Sequence, residues 1–172
     1  MGGTLEVQSK LDLGTTFTVV LKFERYKGQI EEQVNEEVSS TGLEGKRILL
    51  CEDHPLNRQM AIKLLEKKGV SVDAVENGQE EVARFQNSAV GYYDLILMDL
   101  RMPIMGGSEA TETIRNLQRA DAKSIPIIAM TANAFDDDVK HCLAVGMNDH
   151  ISKPLNVEKM YQTIADYIGA QK

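Results

Sequence analysis

The chain is 172 residues long, 42% hydrophobic and acidic, with a net charge of −7 and a pI near 5.0. That is enough apolar content for a packed core and too much for a disordered chain, and the length suggests one domain with an appendage. The acidic balance, the absence of Trp and the 5% aromatic content argue against nucleic-acid binding, and no apolar run is long enough to span a membrane.

The first residues, Met1-Gly2-Gly3-Thr4-Leu5-Glu6, lack the basic and apolar regions of a signal peptide. Two cysteines, Cys51 and Cys142, do not make a disulfide framework, so a reducing, cytoplasmic setting is expected. Residues 4–24 predict a β-hairpin: Leu5 and Val7, then Phe17, Val19, Leu21 and Phe23, alternate with mostly polar neighbours at the strand period of two. Its loop falls at residues 9–15, with Gly14 near the end. An isolated hairpin is marginal in water, so this one must pack on something or belong to a larger sheet. Residues 25–45 read as an acidic linker ending in small polar residues. Ile30, Val34 and Val38 are spaced for one stripe on a short helix, but the composition favours a solvated segment.

From Lys46 the pattern changes to short apolar runs alternating with amphipathic segments, which predicts a parallel sheet with crossover helices. Ile48 to Cys51 form a strand, and residues 55–68 a helix that Pro55 opens and Gly69 stops, with Ala61, Leu64 and Leu65 inward. Residues 70–75 form a second strand, and Asn77-Gly78 turns into a helix through Phe85. A third strand, residues 95–98, ends at Asp99; the next helix has Ser108 as candidate cap and Ile114 and Leu117 inward. Residues 127–130 form a fourth strand ending at Thr131, residues 136–145 a helix closed by Gly146, Ile151 marks a fifth strand, and residues 157–168 form the last helix. The fold expected is α/β: a doubly wound, five-stranded parallel sheet of (βα)5, flavodoxin-like type, covered on both faces.

Open parallel sheets bind ligands beyond the carboxyl ends of their strands. Here those ends carry Glu52-Asp53, Asp99, Thr131 and Ser152-Lys153-Pro154. Crowded carboxylates repel, and a hard divalent cation such as Mg²⁺ or Mn²⁺ relieves the repulsion. One carboxylate is then free to attack phosphorus, while a lysine and a hydroxyl neutralise and hold phosphoryl oxygens. Each residue also has a structural alternative. Asp53 is a candidate N-cap for the Pro55 helix, Glu52 a solvated acid, Asp99 a loop cap, Thr131 a structural hydroxyl and Lys153 a surface charge. Their convergence on one sheet edge favours the functional reading.

Four ordered motifs carry a resemblance: Ile48-Leu49-Leu50-Cys51-Glu52-Asp53; Leu95 to Asp99 with Leu100-Arg101-Met102-Pro103-Ile104-Met105-Gly106-Gly107; Ile127-Ile128-Ala129-Met130-Thr131-Ala132; and Ile151-Ser152-Lys153-Pro154. Together they resemble the receiver domain of two-component signalling over about residues 46–170. The resemblance implies that Asp99 is the phosphoacceptor for a phosphohistidine of a histidine kinase or histidine phosphotransfer domain. It implies that Asp53 and Asp99 ligate Mg²⁺, with Glu52 through water or by orienting a ligand, and that the backbone carbonyl of Arg101 completes the metal site. Thr131 would hold a phosphoryl oxygen and couple it to the following loop, Lys153 would pair with the phosphoryl group, and the Lys153–Pro154 peptide would be cis. His150 stands where the family often has a switching Tyr or Phe, and it keeps a planar ring while adding polarity, which puts the usual aromatic switch in question. Gly107 stands in for a frequent polar residue, with little effect expected. Arg101 and Asn133 flank the site, where bulky residues would hinder the hydrolytic water and set the phosphate lifetime. Ala134, Phe135, His141 and Val145 lie on the face expected to change on phosphorylation.

Gly2 to Ser9 and Gly14-Thr15-Thr16-Phe17-Thr18-Val19-Val20-Leu21 resemble the last two strands of a histidine-kinase ATP-binding domain. Residues 1–24 would then be a remnant of that domain, 25–45 the linker and 46–172 the receiver, in the order of a hybrid histidine kinase. Without the kinase core the chain is expected neither to bind ATP nor to act as a kinase, only to catalyse its own phosphorylation and dephosphorylation. The hairpin, lacking its sheet, would be disordered or would pair weakly with another copy.

Other classes fit less well. A flavin carrier needs a Ser-, Thr- and Gly-rich loop where Glu52-Asp53-His54-Pro55 stands, and an aspartyl phosphatase usually has a second Asp where Arg101 stands. Zinc binding by Cys51, His54, His141 and Cys142 is disfavoured by the burial expected of both cysteines. The runner-up is a docking module of the same fold that works without phosphorylation.

Overall fold

A computed structural model describes residues 3–22, 42–132 and 136–169. They fall into two compact units, one within Met1–Glu37 and the other within Val38–Lys172. Most of the expected linker, its Ile30–Val34–Val38 stripe, and Asn133, Ala134 and Phe135 lie outside the described residues.

The first unit is an antiparallel hairpin of β1 (Gly3–Lys10) and β2 (Gly14–Leu21), paired from Gly3↔Leu21 to Lys10↔Gly14. Its turn is three residues long, tighter than the sequence pattern suggests. Leu13 N donates to Lys10 O at 3.0 Å, and Asp12 and Gly14 both take positive φ. The strand alternation is real, with Leu5 opposite Val19 and Val7 opposite Phe17, yet every strand residue is exposed.

The second unit alternates strand and helix: β3 (Arg47–Cys51), α1 (Pro55–Glu66), β4 (Ser71–Val75), α2 (Gly78–Asn87), β5 (Leu95–Asp99), α3 (Gly107–Arg115), β6 (Ile127–Thr131), α4 (Asp136–Ala144), β7 (Asp149–Ser152) and α5 (Val157–Gly169). The strands are parallel in the order β4-β3-β5-β6-β7. The order reverses between β3 and β5, which makes a crevice at their carboxyl ends.

The continuous apolar strands sort their side chains by parity. Ile48, Leu50, Leu95, Leu97, Ile128 and Met130 pack with Ala61 and Leu65 of α1 and with Met160 and Ile164 of α5. Leu49, Cys51, Ile96, Met98, Ile127 and Ala129 pack with Phe85 of α2, Ala110 and Ile114 of α3, and Cys142 of α4. Leu43, read from sequence within the linker, is fully buried in the first of these layers.

One capping expectation fails, that for Ser108, and the structural alternative weighed for Asp53 is excluded. α1 has His54 at its N-cap with no side-chain cap, so Asp53 does not cap it. α3 starts at Gly107 with Gly106 as N-cap, so Ser108 lies inside the first turn. Gly107 is pressed onto the end of β5, where a Cβ would stand 2.3 Å from Asp99 O and 2.8 Å from Met98 Cγ. The little effect expected of a residue at this position is therefore corrected; Gly106, whose Cβ would meet only Leu100 O at 3.3 Å, is the tolerant one. α2 does use its cap: Asn77 accepts from Glu80 N at 2.9 Å, and Glu80 Oε2 accepts from Glu76 N at 3.2 Å.

Candidate functional site

The crevice gathers the strand-end residues. Glu52 and Asp53 follow β3, Asp99 ends β5, Thr131 ends β6 and Lys153 follows β7. Glu52, Asp99 and Thr131 are buried and Asp53 is half-buried. Lys153 Nζ donates to Glu52 Oε2 and to Asp99 Oδ2, each at 2.6 Å, so one ammonium bridges carboxylates that lie far apart in sequence. Asn57 Nδ2 donates to the other oxygen of Glu52 at 3.2 Å. Arg101 N donates to Asp99 Oδ1 at 3.2 Å, and Arg101 itself is exposed in the loop after β5. Thr131 O accepts from Lys153 N at 2.7 Å, which fixes the lysine's backbone beside the threonine. The Lys153–Pro154 peptide is cis, in keeping with the expectation.

His150 lies on β7, half-buried, with Nδ1 3.5 Å from Asp149 Oδ1. Of the residues expected on the changing face, His141 is exposed on α4 and Val145 is half-buried behind it. Cys51 and Cys142 belong to the core layer under α2, α3 and α4, so neither offers an exposed thiol for zinc.

The electrostatics favour a cation. Burial pushes the Asp99 carboxyl above its usual range, and the Lys153 hydrogen bond and charge pull it back only in part. Burial alone would lower Lys153, but the hydrogen bonds it donates to Asp99 and Glu52 outweigh that and hold it above the usual lysine value. Three carboxylates against one ammonium leave negative charge in excess. Among the described residues, Glu52, Asp53 and Asp99 alone bring metal-ligating atoms together, all within 4.8 Å of one another. A set of hard oxygen donors with uncompensated negative charge fits Mg²⁺ or Mn²⁺ and does not suit a soft metal.

Sequence reasoning missed two residues here. Asn57 and Arg58, on the first turn of α1, reach back to the loop that carries the acids. Their signal was faint: polar residues five or six positions beyond Glu52, which look like a helix surface.

A doubly wound parallel sheet with an acid cluster and a bridging lysine at its switch point defines the class: a phosphoacceptor-type α/β domain. The chain belongs to the response regulator receiver domain family, whose model matches residues 48–165. It is a receiver domain of the two-component phosphorelay, of the kind found in hybrid histidine kinases. It is 33% identical over 172 residues to hybrid signal transduction histidine kinase K of Dictyostelium discoideum, covering 95% of this chain and 14% of that protein. It is 34% identical over 154 residues to a probable histidine kinase 1 of Oryza sativa subsp. indica, covering 73% of this chain and 16% of that protein. Among solved structures, the receiver domain of a sensor histidine kinase from Pseudomonas aeruginosa PAO1 is 37% identical with a TM-score of 0.66, covering 73% of this chain and 98% of that one. That structure holds a magnesium ion in its active-site cleft. A Saccharomyces cerevisiae receiver domain, crystallised with a histidine phosphotransfer protein, is 28% identical with a TM-score of 0.65, covering 73% of this chain and 90% of that one.

Proposed function

We propose that Asp99 is the phosphoacceptor, receiving a phosphoryl group from the phosphohistidine of a histidine kinase or histidine phosphotransfer partner. A carboxylate oxygen of Asp99 forms a bond to phosphorus as the phosphorus–nitrogen bond breaks, and the departing imidazole keeps the electron pair. Glu52, Asp53, Asp99 and the Arg101 carbonyl would hold Mg²⁺ or Mn²⁺, which when bound neutralises phosphoryl oxygens and the carboxylates around them. Lys153 then exchanges one carboxylate partner for a phosphoryl oxygen. The Thr131 hydroxyl holds another oxygen and passes the change to the loop that follows β6, with His150 as a second switch position. The observation that carries this reading is the Lys153 ammonium bridging Glu52 and Asp99 at 2.6 Å each.

The partner's histidine has to reach Asp99 from outside the crevice. Exposed apolar side chains stand on the elements that frame it, Leu56 and Met60 on α1 and Ile104 in the loop after β5, and they suit a helical partner with an apolar face. We further infer that the hairpin is the end of a kinase ATP-binding domain and that the parent is a hybrid histidine kinase. The hybrid kinase K likeness, which reaches over 95% of the chain, supports this.

The test is intact mass after incubation with a small-molecule phosphodonor and Mg²⁺. One added phosphoryl group is expected, absent in Asp99→Asn and absent with chelator. Retained phosphorylation in Asp99→Asn overturns the assigned acceptor. No adduct in the wild type, together with no NMR response to beryllofluoride, leaves the phosphorylation-independent docking module as the reading.

A further inference from the structure

We infer that Arg58 is a positioning residue for the acid cluster, with Glu76 as its anchor; this rests on the reading of Glu52, Asp53 and Asp99 as a divalent-cation site. β3 ends at Cys51, so the carbonyls of Glu52 and Asp53 lie beyond its ladder. Backbone carbonyls that leave a sheet need other partners. One nitrogen serves both: Arg58 Nη1 donates to Glu52 O at 2.8 Å and to Asp53 O at 3.1 Å. The other arm is held too, since Arg58 Nη2 donates to Glu76 Oε1 at 2.6 Å. The backbone of Glu76 is held in turn, since its N–H donates to Glu80 Oε2 at 3.2 Å beside the start of α2, while its side chain is exposed.

The guanidinium therefore straps the loop after β3 to the loop after β4. With both carbonyl oxygens committed to Arg58, this loop offers its side chains to a cation and not its main chain. Glu52 has a second restraint, because Asn57 and Lys153 hold its carboxylate directly. For Asp53 the restraint reaches the carbonyl, so its carboxylate depends on the backbone that Arg58 fixes. The planar fork puts its donors on separate nitrogens, which lets one side chain reach two carbonyls on one side and a carboxylate on the other; an ammonium gathers its three donors at one point.

The experiment uses the full chain. Mg²⁺ affinity is measured by calorimetry, Mn²⁺ affinity by electron paramagnetic resonance, and the thermal midpoint alongside, for the wild type, Arg58→Ala, Arg58→Lys and Glu76→Ala. Arg58→Ala should weaken cation binding about tenfold, as loss of an outer-shell partner does, with Arg58→Lys recovering part and Glu76→Ala losing less. In phosphorylation assays the half-saturating cation concentration should shift more than the rate at saturation. A lowered thermal midpoint with unchanged cation affinity would make Arg58 a folding residue and overturn the proposal. If Arg58→Ala does not fold, the order of affinities of wild type, Arg58→Lys and Glu76→Ala decides, and equality among them sinks it. A wild type that binds neither ion removes the cation site itself, which is a different failure.

Discussion

Burial works against the charge of Asp99, and Lys153 works for it. The Asp99 carboxyl is raised by burial despite the Lys153 ammonium, so any stability tied to its proton is present below the unfolded value of about 3.9. That stability is lost as pH rises through the higher folded value. Asp99→Asn removes the charge, and Lys153 keeps Glu52 as a partner. The substitution should therefore stabilise the domain at neutral pH by ~1 kcal/mol while abolishing phosphorylation; urea unfolding checks it, and a destabilised variant would show that the ion pair outweighs burial. Glu81 is a second strained acid, and it lies outside the site. It is fully buried on α2 with both carboxyl oxygens unpartnered, so burial pushes it well above the usual range and the neighbouring Cys51 thiol offsets that only partly. The sign is the same: its contribution is present below about 4.3 and drains away as pH rises through the folded value. Glu81→Gln should flatten the fall in stability between mildly acidic and mildly alkaline pH, and an unchanged slope would refute the assignment. Glu52, Asp53, Asp99, Thr131 and Lys153 could be picked out in the sequence because each stands at the carboxyl end of an expected strand, on one edge of the sheet. Asn57, Arg58 and Glu81 could not, since a polar residue on a helix carries no mark of what it touches.

At the scale of the element, β3, β5 and β6 were the most legible part, because each is a short apolar run with no competing periodicity, whereas β7 was marked by Ile151 alone. Helix starts were less so. Ser108 has the right chemistry for a cap, but α3 begins earlier because Gly107 lets it lie flush against the end of β5. That contact makes a strong prediction. Gly107→Ala places a Cβ 2.3 Å from the Asp99 carbonyl, against backbone that cannot swing aside. It should cost about 1–3 kcal/mol of stability and slow phosphorylation, since the residue displaced is the acceptor itself. Gly106→Ala meets only Leu100 O at 3.3 Å and should be far milder on both counts. Equal effects from the two substitutions, read by thermal unfolding and phosphorylation rate, would contradict the packing argument. The same crowding recurs at Gly78, where a Cβ would meet Ala110 and the Met105 carbonyl at 2.8 Å each.

For the whole molecule, the question is where stability resides. Both core layers are built from residues that begin at Leu43, and none of their members belongs to the hairpin. The hairpin's apolar residues are exposed, with Leu5, Val7, Phe17 and Val19 between 53% and 66%. Area buried in the core, not sequence adjacency, sets stability. Residues 42–172 produced alone should therefore match the unfolding free energy of the full chain in urea to within about 0.5 kcal/mol. Sedimentation should separate the two in another way. Exposed apolar residues on a two-stranded edge invite pairing between copies, so weak self-association at high concentration should appear in the full chain and vanish in the truncated one. A clear drop in stability on truncation would mean that the hairpin supports the receiver unit. Self-association that survives truncation would move the contact to the receiver surface, where Leu56, Met60 and Ile104 are the exposed apolar side chains beside the crevice.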